Sequence, residues 1–148
     1  MALPNLPDED HIVRLVPWSK LFKDEDDNVL GVSAEAFVPR KDDPTLSVNW
    51  LERVSGSSQQ QLQTAATLIQ DTQSSKKIGP KARLARLNVG QTKSISLEQG
   101  SKIRIVHAPI EGNEPHSEIR QMPVDDRVLQ DRIASDAVLD ITAFGDIL

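Results

Sequence analysis

The chain has no cysteine, and only 3% of its residues are aromatic. Without cysteine, disulfides, thiolate metal sites and a cysteine nucleophile are excluded. With so few rings, a core must be built from Val, Ile, Leu and Ala, and the 38% hydrophobic content suffices for a small one. The opening residues, MALPNLPDEDH, lack the apolar stretch of a secretion signal. No hydrophobic run approaches the length that spans a bilayer. The sequence has no G-x-G-x-x-G, no G-x-x-x-x-G-K-[ST] and no G-x-S-x-G. Dinucleotide, phosphate-loop and nucleophile-elbow chemistry are therefore without a local signature. The expectation is a cytoplasmic protein with no membrane partner.

At 148 residues the chain is the length of one domain, and its net charge is −5. That sign argues against a general nucleic-acid coat. The charge is unevenly placed. Residues 76 to 104 hold eight bases and one acid, net +7, so the remainder carries −12. Such a split can hold the fold together or offer a basic face to an acidic partner.

Residues 1–10 are acidic and Pro-rich and read as a mobile arm, with a single domain over 11–148. HIVRLV (11–16) is short, β-branched and bounded by Pro17, which predicts a strand. Residues 18–23 fit one helical turn, and the acidic run 24–28 fits a turn. Residues 29–39 fit either a short helix at 33–37 or an edge strand, and TLSVNWLERV (45–54) reads as strand then helix. The stripe Leu62, Ala65, Ala66 and Ile69 predicts a helix over 59–70, capped by Ser57 or Ser58. Residues 71–80 read as a flexible linker open to proteases. Alternation then predicts strands at 83–89, 93–97 and 102–107, joined as an antiparallel meander with a turn at 98–101. A loop follows over 108–123. Asp125 or Asp126 caps a predicted helix over 125–142, with the stripe Leu129, Ile133, Ala137 and Ile141. The expected class is α+β: a small antiparallel sheet with two main helices.

Four features invite a chemical reading. Asp24, Asp26, Asn28 and Glu35 have the oxygen spacing of a calcium loop. Val29, however, stands where the turn requires Gly, and Pro17 and Pro39 deny it long flanking helices. A solvated acidic turn is the better reading. His107 and His116 stand near Glu111 and Glu118, donors that suit Zn, Mn or Fe. They would serve a metal-dependent hydrolase or nuclease as ligands or as general base. The plainer reading places His107 at a strand end and His116 in a solvated loop. Third, Lys76, Lys77, Lys81, Arg83, Arg86 and Arg104 form a basic stretch able to meet phosphates or an acidic partner, with Arg86 and Arg104 on outward strand positions. No aromatic lies inside it, so base stacking is not supplied locally. Finally, Trp18, Phe37 and Trp50 read as core.

DEDDNVLG with SVNWLE, and HAPIEGNEPHSEI, resemble parts of small bacterial proteins, a resemblance that implies no activity and no site residue. The sequence therefore points to a small interaction protein, an accessory or regulatory subunit whose partner is another protein, with no cofactor favoured. The metal enzyme and the nucleic-acid binder are the alternatives.

Overall fold

The computed structural model describes residues 3–72 and 77–147. It is α+β, as the sequence predicts. Eight strands run β1 (His11–Val16), β2 (Leu21–Lys23), β3 (Val29–Val32), β4 (Leu46–Trp50), β5 (Arg83–Asn88), β6 (Arg104–His107), β7 (His116–Arg120) and β8 (Val138–Ala143). Four helices, α1 (Ser58–Thr72), α2 (Val89–Glu98), α3 (Arg127–Arg132) and α4 (Phe144–Ile147), stand among them. Six strands form one sheet in the order β6-β7-β4-β1-β5-β8, every neighbour antiparallel, while β2 and β3 form a separate hairpin.

Both faces of the sheet are covered, which explains why β1 reads IVxLV without clean alternation. Ile12 and Val16 enter the larger core, with Leu87, Ile105, Ile119, Leu129 and Ile133. Val13 enters the second, with Leu84, Ala66, Ile69 and Phe144. Helices α2 and α3 thus lie over one face, and α1 and α4 over the other. Ser57 and Gln60 close α1 reciprocally: Gln60 N–H donates to Ser57 Oγ (3.2 Å), and Ser57 N–H to Gln60 Oε1 (2.7 Å). Asp126 caps α3 through Leu129 N–H (3.1 Å).

Arg14 stands on the central strand beside a split in the sheet. β1 pairs with β5 along six residues but with β4 at only Ile12↔Trp50 and Val13↔Asn49. The Arg14 guanidinium fills the divergence, donating to the Ser47 carbonyl (2.8 Å) and the Ala36 carbonyl (2.7 Å). Burial pushes it down to about 10, so it stays charged at neutral pH.

Several expectations are corrected. Residues 93–97 are not a strand but the body of α2, whose N-terminus Asn88 caps through Gln91 N–H (2.8 Å). Val89, Thr92, Ile95 and Ser96 are buried, a helical period that five alternating residues could not reveal. The meander falls with it, because β5 and β6 lie apart in the sheet. The predicted helix over 125–142 ends early. After α3 comes one wide π turn (Ile133–Ala137), then β8. The β-branched run at Val138, Ile141 and Thr142 pairs with β5, Ala85 opposite Ile141. Residues 116–120, placed in a loop, form β7, which pairs on both sides. Residues 46–50 are a strand. In 29–39 both options occur in turn, β3 and then a 3-10 turn at Ala34–Phe37. Leu6, within the stretch read as a mobile arm, is buried against β6. Its N–H donates to the Ile105 carbonyl (3.0 Å), and His107 N–H donates to the Pro4 carbonyl (2.9 Å). The predicted 71–80 linker lies partly outside the described residues.

Candidate functional site

The histidine loop is the first test. His107 closes β6 and His116 opens β7. The register sets His107 opposite Ser117, so His116, one residue earlier on an alternating strand, projects from the other face. Each imidazole already has partners. His116 is buried and donates from Nδ1 to the Ala108 carbonyl (2.7 Å). His107 Nε2 lies 2.8 Å from the Glu114 carbonyl and 3.0 Å from its carboxylate. Of the predicted acids, Glu111 is exposed on the turn, and Glu118 pairs with Arg120 (2.8 Å). The four candidates His107, His116, Glu111 and Glu118 therefore do not converge. Among the described residues no group of three His, Asp or Glu could hold a metal ion.

His107 instead joins a surface network that sequence reasoning missed. Arg53 grips Glu114 with two hydrogen bonds (2.7 and 3.1 Å) and lies 5.7 Å over the Trp50 ring. The Trp50 ring meets His107 edge-on at 5.3 Å and donates its Nε1–H to Asp10 (2.8 Å). Arg53, with His107 behind it, holds the Glu114 carboxyl below its ordinary range. These residues come from four separate stretches, so no local motif announces them. The acidic turn at 24–28 satisfies itself: Asp24 accepts from the N–H groups of Asp26 and Asn28 (both 2.9 Å), which lowers its carboxyl, Asn28 contributing most.

The basic residues are scattered by the fold. Lys76 lies outside the described residues. Lys77 is exposed, six residues before β5 begins. Arg86 pairs with Asp140 (2.6 Å), which raises its guanidinium. Arg104 donates to the Leu3 carbonyl (3.2 Å). Arg86 and Arg104 share a face of the sheet but stand four strands apart, about 19 Å at the usual strand spacing. Lys81 and Arg83 come to Trp18, at 5.2 and 5.9 Å from its ring centre.

A concave feature with apolar walls lies elsewhere. A groove of about 770 Å³ runs between the β2–β3 hairpin, α3 with its π turn, and β8. Phe22, Leu30, Val32, Ala134, Val138 and Ile141 line it. Phe22 and Leu30 are 60% and 59% exposed, and Leu139 on β8 is 50% exposed. Asp131, Asp140 and Arg127 also line it, a net charge of −1. Arg127 is held by Glu35 (2.6 Å), which raises its guanidinium. β8 is the last strand of the sheet, and among the described residues no backbone group pairs with its outer side. An exposed Phe and Leu within charged sequence are faint signals alone; the groove arises only when β8 meets the hairpin. No protein-family model matches the chain, and neither a curated protein nor a solved structure matches it. Among the described residues no helix is long and apolar enough to cross a membrane.

Proposed function

We propose that the protein is a binding module, an accessory subunit that takes an extended segment of another protein along β8. The carrying observation is the conjunction of an unpaired strand edge with an apolar groove beside it. An open edge offers backbone donors and acceptors that an added strand satisfies. The groove offers Phe22, Leu30, Val138 and Ile141 to the apolar side chains of that strand. Charge selects further. The groove lining is net negative and the whole chain carries −5, so the favoured segment alternates apolar residues and has Lys or Arg at its ends.

Selection from a random peptide display library tests this directly. The expected binders carry alternating apolar positions flanked by basic residues, and they perturb the amide signals of 138–143. Binders that map to another surface, or that hold the Leu139→Lys variant as tightly as the parent, would sink the reading.

A further inference from the structure

Trp18 sits in a single 3-10 turn (Trp18–Lys20) just past Pro17, at the end of β1. The register places Val16 opposite Arg83, so the start of β5 arrives beside it. Three cations surround the indole: Lys23 Nζ at 4.5 Å from the ring centre, Lys81 Nζ at 5.2 Å and the Arg83 guanidinium carbon at 5.9 Å. Among the described residues none of the three has a carboxylate within 4.0 Å. Arg53, Arg86, Arg120, Arg127 and Arg132 each have an acidic partner; these three cations share an aromatic ring instead.

Like charges gathered on one ring repel each other, and the ring's negative face offsets only part of that. Two of the cations are also held by backbone. Lys23 Nζ donates to the Trp18 carbonyl (2.6 Å), and Arg83 Nη1 donates to the carbonyls of Lys81 and Ala82. Two positioned, half-buried cations and the exposed Lys81, none with a carboxylate, leave room for an external anion. A guanidinium fork and two ammonium groups suit phosphate oxygens. The indole packs in part against the larger core, and its exposed part offers a π surface. Phosphate contacts next to an aromatic platform are the two components of single-strand recognition.

We propose that Trp18, Lys23, Lys81 and Arg83 form a binding site for single-stranded nucleic acid, separate from the β8 groove. The ring that the 76–104 stretch lacks is supplied by tertiary structure. A single strand fits better than a duplex. Its bases are free to stack, and its lower charge density is repelled less by a chain of net −5.

The test is anisotropy of a labelled short oligothymidylate titrated with the full chain at low salt. A second titration follows the quenching of Trp18 in the Trp50→Phe variant, where Trp18 is the sole indole. Saturable binding with quenching is expected, with a log–log salt slope of about −2, three cations at about −0.7 each. Lys81 is exposed, so Lys81→Glu should leave the fold intact and weaken binding about tenfold. Trp18→Leu should weaken it by a similar factor. Absence of saturable binding overturns the proposal, as does indifference to Lys81→Glu or equal affinity for a duplex of the same sequence. Inorganic tripolyphosphate separates the remaining source. If it binds as tightly as the oligonucleotide and competes fully, the site is one for free phosphates and the nucleic-acid assignment falls.

Discussion

At one edge of the six-stranded sheet the chain covers its own backbone, and at the other the described residues do not. Along β6, residues 4–6 add a short segment: Asn5 bridges Val106, the Leu6 amide reaches the Ile105 carbonyl, and the Leu6 side chain is only 2% exposed. Along β8 no comparable segment occurs among the described residues, and Leu139 stands half exposed. The contrast matters because an open edge is a hazard that proteins normally cover or charge. Here the covered edge belongs to the fold, and the open one is the edge we propose for a partner. Asp140 and its Arg86 partner give β8 some charge, which discourages self-pairing without closing the edge.

Removing the cover should cost the fold, and altering the open edge should not. Leu6→Ala should therefore destabilise by about 3 kcal/mol in chemical denaturation, through lost burial and the cavity left behind. A cost near that of a surface substitution would show that residues 4–6 do not seal β6. Leu139→Lys should leave stability within about 0.5 kcal/mol. The same change should lower the affinity for display-selected peptides about tenfold, because it sets a charge on the strand edge they pair with. If it unfolds the protein, β8 is not a free edge. Breaking the Arg86–Asp140 pair with Asp140→Asn should cost about 0.5 kcal/mol, because both partners are solvated, and the effect should fade at roughly 1 M salt.

The smallest effect concerns pH on the covered side. Glu114, gripped by Arg53 beside His107, titrates below its ordinary 4.5. A carboxyl depressed in the folded state contributes stability above that ordinary value. The contribution is lost as pH falls through the folded value. Since Glu114 is about half exposed, solvent screens the pair strongly and the contribution is small. Thermal unfolding followed downward from pH 5 should show a slight extra loss that Arg53→Met removes. The open edge should show no such dependence on Arg53.

Local pattern made some of this legible. The stripe Leu62, Ala65, Ala66 and Ile69 with Ser57 before it marked α1, because helix period and cap are properties of neighbours in sequence. HIVRLV marked β1 for a similar reason. The stripe Leu129, Ile133, Ala137 and Ile141 misled at its last member. All four positions face one core, but Ile141 reaches it as a strand residue opposite Ala85. What made 138–143 a strand was the vacant side of β5, which no residue near 138 in sequence reveals. Lys81 and Arg83 were visible as basic residues, whereas Trp18 and Lys23 were not visible as their companions. Only the pairing of Val16 with Arg83 joins them. His107 and His116, near in sequence, were separated by the alternation of β7.

By itself the sequence determined the α+β class, the absence of thiol chemistry, the negative net charge, α1 and β1. These depend on composition and on contacts between near neighbours, which a single chain displays openly. The order of the strands, the identity of the open edge, the groove beside it and the ring of cations on Trp18 were decided only in three dimensions. Each depends on strand pairing between distant segments. A period-2 alternation says which face a side chain takes but carries no information about which strand will lie beside it.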